Sequence, residues 1–226
     1  FTVTGFWLVN YLTDVVGILP GIAGSIILIV RLWDAVTDPV MGIISDRTRS
    51  PWGRRRPYLL FGSVPLFISM FILYTSPGFT DQGALFVWGL LTFGLLSTAY
   101  TVVNIPYSSL TPELTSDYQE KTSLNGFRMS FAVVGTLIAA GAAMPIVNLF
   151  NSKEAGFSAM GGVFGFIMMS AALTTFFSVR EPLHEKREES GLSLSSYKDI
   201  LKNKAYFLIL GPWVLNITGL TVVSGT

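Results

Sequence analysis

The sequence contains no cysteine and a single histidine, His184, and only 13% of its 226 residues are charged. Without cysteine there is no disulfide, no thiolate metal site and no thiol nucleophile. His184 lies in a polar stretch with no partner to make it a catalytic base, so an enzyme is not expected. The net charge of +1 leaves electrostatic attraction no purchase, and nucleic acid is not expected as a partner. No signal-peptide pattern is present either. What remains is apolar: 50% of residues are hydrophobic and the mean hydropathy is +0.55. That composition indicates an all-α, multi-pass membrane protein embedded in a lipid bilayer, not a soluble domain with a large core.

One stretch interrupts the apolar pattern. The run 21–45 has about the ~20 residues a helix needs to cross a bilayer, yet it carries Arg31, Asp34 and Asp38. A carboxylate facing lipid at mid-membrane costs roughly 2.5–3.5 kcal/mol, so both acids are expected to face protein or water. Four residues apart, they share one helix face, roughly 6 Å apart along the axis. Pro39 removes a backbone hydrogen bond and frees the carbonyl of Ala35 between them. Such a cluster of hard oxygens suits a proton or a cation such as Na⁺, and Asp34 and Asp38 are the candidate Na⁺ ligands. The competing reading is an Arg31–Asp34 ion pair that holds helices together, although one arginine cannot neutralise two acids.

Further apolar runs fall at 1–19, 58–74, 84–109, 125–150 and 156–178, making six expected spans. The predicted organisation is a six-helix bundle over 1–178, a charged connector over 179–204 and the start of a second bundle over 205–226. Within the connector, Ser196 and Asp199 fit a capping box for a short surface helix. The chain begins inside one apolar run and ends inside another, as expected for a fragment of a twelve-helix transporter. The loops after the second, fourth and sixth spans hold twelve of the 15 Lys and Arg, and those after the first, third and fifth hold only Lys153. This positive-inside bias puts the twelve, and the N-terminus, on the cytoplasmic side.

Several motifs carry a family resemblance. Gly42-Ile-Ile-Ser-Asp46-Arg47 with Gly53-Arg54-Arg55 resembles the loop between helices two and three of the major facilitator superfamily. Asp34-Ala-Val-Thr-Asp38-Pro39-Val-Met-Gly42 with Trp52-Gly53-Arg54-Arg55-Arg56-Pro57 is similar to the glycoside–pentoside–hexuronide:cation symporters, typified by the melibiose permease. Asn104-Ile-Pro-Tyr107 fits their fourth helix. The resemblance implies a cation site of Asp34, Thr37, Asp38 and Thr101, and a substrate site that includes Tyr100, Asn104 and Arg128. It also implies a cytoplasmic charge gate containing Asp46, Arg54 and Arg55. The expected activity is Na⁺- or H⁺-coupled symport of a sugar or glycoside by alternating access, with no cofactor beyond the coupling cation. The expected setting is a bacterial inner membrane, together with a missing C-terminal half of the same protein.

The sequence departs from the melibiose permease in two places. Asn104 stands where that protein has a sugar-binding aspartate, and Ser108 where it has a tryptophan that packs on the sugar. A different solute, such as a glycoside conjugate or an amphiphile, therefore stays open as cargo. Arg128 reads either as a cation snorkelling to the interface or as a forked donor to substrate. Tyr100 reads as an interfacial aromatic or as a site residue. A receptor or sensor on the same scaffold is the competing class; it would bind solute without accumulating it.

Overall fold

The computed structural model describes residues 2–115, 117–180 and 211–212. All but the last two belong to the first of two compact units, Phe1–Leu183. Its described residues form six α-helices and no strand. Helix α1 (Thr2–Asn10) runs into a π-helical turn, Tyr11–Val15, and is followed by α2 (Pro20–Arg47), α3 (Arg56–Leu73) and α4 (Gln82–Leu110). A 3-10 turn, Thr111–Glu113, leads to α5 (Tyr118–Val147) and α6 (Lys153–Ser178). By length and composition α3, α4, α5 and α6 can each cross a membrane. Helix α2, with 28 residues, is about 42 Å long, but its middle carries the three charges noted above. The expected surface helix of the connector and the seventh span lie outside the described residues, apart from 211–212, which are helical.

Local chemistry sets the helix starts. Pro20 occupies the first turn of α2, where its missing N–H costs nothing. Asp81 accepts from the Ala84 amide at 2.8 Å to cap α4, and Ser152 accepts from Ala155 at 3.2 Å to cap α6. Helix α5 starts seven residues before the position expected from hydropathy. Its cap is Asp117, whose Oδ1 accepts from the amides of Gln119 at 2.7 Å and Glu120 at 3.0 Å. The first two turns, from Tyr118, are polar, so apolar periodicity does not register them.

Helix α3 lies between α4 and α6, and α2 packs on the other side of α4. The α3–α6 contact is close because α6 presents glycines four apart. A Cβ on Gly161 would sit 2.8 Å from the Tyr74 Cβ, and one on Gly165 would sit 3.1 Å from the Phe67 carbonyl oxygen. Without a hydrophobic force between helices in lipid, such backbone approach supplies the dispersion energy of association. Helix α5 is the most exposed element and buries only Ala139, Ala143 and Val147.

The α2–α4 contact has a constant register. A Cβ on Gly89 would approach Ile26 Cδ1 to 2.9 Å, and one on Gly42 would lie 3.9 Å from Ile105 Cγ2. Both pairs are 63 residues apart, so the two helices run parallel and level from Ile26 to Gly42. Pro39 and Pro106 sit inside these helices, which stay continuous through them.

Candidate functional site

The register places acids against hydroxyls. On α2 the row that contains Ile26 and Gly42 also contains Asp34 and Asp38, and 63 residues further on lie Ser97 and Thr101 of α4. Thr101 Oγ1 donates to Asp38 Oδ1 at 2.8 Å. Ser97 Oγ donates to Asp34 Oδ1 in a short hydrogen bond. Asp34 Oδ2 also pairs with Arg31 Nη1 at 3.6 Å. Beside them Trp33 Nε1 donates to Thr98 Oγ1 at 3.0 Å. Thus the Arg31–Asp34 ion pair exists, and Asp38 has a hydroxyl from the neighbouring helix.

Arg31, Asp34, Asp38, Tyr100, Thr101 and Asn104 line a cavity of about 120 Å³. That is room for a small cation with a few waters. One guanidinium against two carboxylates leaves the lining one negative charge in excess, the charge that a monovalent cation or a proton would balance. The donor set fits such a cation: carboxylate and hydroxyl oxygens are hard ligands. Among the described residues no three of His, Cys, Asp and Glu gather to hold a metal ion. Thr37 is placed differently from the other residues expected at the cation site. Its hydroxyl turns to the Asp34 carbonyl of its own helix at 3.5 Å, and it is not part of the cavity wall.

Tyr100 and Asn104 therefore share one cavity with the acids, whereas Arg128 does not. Arg128 lines a separate cavity of about 490 Å³ between α4, α5 and α6, with Tyr107, Leu110, Phe127 and Phe131 among its neighbours. The wall there is largely apolar. Among the described residues Arg128 makes no ion pair.

The three gate residues come together, and a fourth joins them. Arg55 Nη2 donates to Asp46 Oδ1 at 2.8 Å and reaches Glu113 Oε1 at 2.9 Å; Arg54 Nη2 donates to the same Glu113 oxygen at 3.2 Å. The Arg55 side chain is 8% exposed, so its pairs are shielded from solvent far better than those of a surface arginine. Glu113 sits in the turn after α4, so the cluster ties the end of α2 and the loop before α3 to the end of α4. Next to it Arg56 Nη2 donates to the Phe176 carbonyl near the end of α6 at 2.6 Å, with its guanidinium 4.8 Å from the Phe176 ring centroid. A cation at the carbonyl end of a helix also meets the negative end of its dipole.

Sequence reading missed Ser97 and Glu113. The signal for Ser97 was available: Ser97 and Thr101 repeat on α4 the four-residue spacing of Asp34 and Asp38. For Glu113 the signal was weaker, an acid in a polar stretch on the same side as the basic loop.

Comparison with known proteins adds the family context. Residues 2–226 match the family described as MFS/sugar transport protein. An inner membrane symporter of Escherichia coli is 31% identical over 221 residues, covering 97% of this chain and 48% of that protein. A putative glycoside/cation symporter, also of Escherichia coli, is 32% identical over 224 residues, 98% of this chain and 48% of its own length. A sodium-dependent lysophosphatidylcholine symporter of Danio rerio is 34% identical over 154 residues, 67% of this chain and 28% of its own length. The chain spans about half the length of the two bacterial relatives.

Proposed function

Because this chain belongs to the MFS/sugar transport protein family, we propose that it is the N-terminal half of a symporter that drives a sugar or glycoside inward with Na⁺ or H⁺. The observation that carries this reading is the small cavity in which Asp34 and Asp38, each held by an α4 hydroxyl, adjoin Tyr100 and Asn104. A cation bound there sits beside the groups offered to the solute, so each changes the affinity for the other, and the change is reciprocal.

In this reading α1 and α2 complete six spans, with the N-terminus and the basic loops in the cytoplasm of a bacterium. The second bundle supplies the facing half of the solute site. Solute and cation would be held where the two halves meet, and rocking of one against the other would expose them to each side in turn. The Asp46–Arg55–Glu113–Arg54 cluster would close the cytoplasmic side.

The test is uptake of a glycoside panel into membrane vesicles that carry the full-length protein, under an imposed Na⁺ gradient, an imposed pH gradient, or neither. Accumulation that follows one of the gradients supports symport and identifies the ion. Binding of solute without accumulation under either gradient overturns symport in favour of a receptor.

An amphiphilic cargo is favoured by one specific observation, the apolar cavity of about 490 Å³ around Arg128. A single fixed cation in an apolar cleft suits a phosphate-bearing head with a hydrocarbon tail. Including a lysophospholipid in the same panel decides between the two cargoes.

A further inference from the structure

We infer that Ser97 is a positioning residue that sets which cation the site accepts, acting through Asp34. This inference rests on the symport reading above. The two acids are held unequally: Asp38 accepts from Thr101, whereas Asp34 lies between two groups, Ser97 on Oδ1 and Arg31 on Oδ2. Those two contacts differ in strength. Arg31 has a side chain 53% exposed and pairs at 3.6 Å, a longer and less confined contact. Ser97 is 1% exposed, which makes its hydroxyl the rigid anchor of the Asp34 carboxylate.

The anchor is also in the right place. Ser97 and Thr101 are four apart on α4, and Asp34 and Asp38 are four apart on α2, with both pairs at the 63-residue offset. The two carboxylates are therefore pinned by one helix at one spacing. A cation between them meets oxygens at a fixed separation, and a fixed separation discriminates ionic radii where a free carboxylate would adapt. The resemblance assigns the neighbouring polar ligand to Thr37, but in this chain the Thr37 hydroxyl bonds to its own helix. Ser97 takes over the part of fixing Asp34.

The test uses purified full-length protein and a direct cation titration. Trp33 adjoins Asp34 and donates to Thr98, one residue from Ser97, so its fluorescence reports on the site once the other tryptophans are replaced by phenylalanine. Titrations with NaCl, LiCl and choline chloride are run on wild type, Ser97→Ala and Ser97→Thr, alongside thermal unfolding of each. Ser97→Ala is expected to weaken Na⁺ binding about tenfold and to bring Na⁺ and Li⁺ affinities closer together, with the unfolding temperature retained. Ser97→Thr keeps the hydroxyl and is expected to retain the wild-type preference. Unchanged Na⁺ and Li⁺ affinities in Ser97→Ala overturn the inference while leaving symport standing. Equal loss in both variants overturns it as well, because the fit of the side chain rather than its hydroxyl would then matter. A wild type whose fluorescence responds neither to these salts nor to a pH titration overturns both the cation site and the role of Ser97. A response to pH alone overturns the role of Ser97 in choosing between Na⁺ and Li⁺ and leaves symport standing.

Discussion

At the scale of single residues, the acids on α2 differ in what each can lose. Asp38 provides carboxylate charge to the cavity; Thr101 provides one hydrogen bond to that carboxylate. Asp38→Asn should abolish Na⁺-stimulated solute binding, since it removes the excess negative charge of the lining. Thr101→Ala should instead raise the half-saturating Na⁺ concentration by about ten- to a hundredfold, in keeping with the ~1.5–3 kcal/mol of a hydrogen bond to a charged group. Binding assays across a Na⁺ series check both. A Thr101→Ala protein with wild-type Na⁺ dependence would remove Thr101 from the site. The position of the two acids on one helix face was legible in the sequence, because a carboxylate in an apolar helix stands out against its surroundings; Thr101 came only from the resemblance. Ser97 did not stand out: serines are common in membrane helices, and only the register of α2 against α4 gives this one its partner. That register is a tertiary property, set by contacts such as Ile26 with Gly89.

At the scale of elements, the helices were legible from hydropathy except where polar turns extend them and in the first apolar run, 1–19, whose α-helix ends at Asn10 in a π-helical turn. The first two turns of α5 were hidden because residues 118–125 carry no apolar stripe and their start depends on the Asp117 cap. Close helix packing makes a sharper prediction. Gly161→Leu would force a side chain into Tyr74 and the Met70 carbonyl, the latter 3.1 Å from the added Cβ. Overpacking of this kind costs about 1–3 kcal/mol. The variant should show a lowered unfolding temperature in detergent and a lower yield of inserted protein. Gly94 has nothing near its absent Cβ, so Gly94→Ala serves as the control and should be neutral.

At the scale of the whole molecule, the charge cluster and the second half come into play. If the Asp46–Arg55–Glu113–Arg54 cluster closes the cytoplasmic side, breaking it should open that side. Glu113→Gln weakens contacts to two arginines and Asp46→Ala removes one, and Glu113 is also the less exposed acid, 25% against 47%. Labelling by a cytoplasmic thiol reagent of a cysteine introduced into the cavity should rise in both variants, and more in Glu113→Gln. Normal transport with unchanged labelling would reduce the cluster to a topology signal. The cysteine-free sequence makes the readout clean within this chain. The chain expressed alone, about half the length of its bacterial relatives, should not accumulate solute, whereas co-expression with the second half as a separate polypeptide should restore accumulation. Gradient-driven uptake by the chain alone would overturn the two-half arrangement.

Arg54, Arg55 and Arg56 serve the protein at two moments of its life. If the basic loop is cytoplasmic, as proposed, then during synthesis they act as bare charges, read before any tertiary contact exists, and lysine would do that work equally well. After folding they act as shapes: one buried nitrogen, Nη2 of Arg55, shared between Asp46 and Glu113, a second donor from Arg54 to Glu113, and a flat cation that caps the Phe176 carbonyl and covers its ring. Lysine, a point charge on a flexible stem, has no plane to lay over the Phe176 ring while it donates to the carbonyl. Replacing all three by lysine should therefore divide biogenesis from assembly. Protease-accessibility mapping should find the chain threaded the same way, while the finished helices should part at lower temperature.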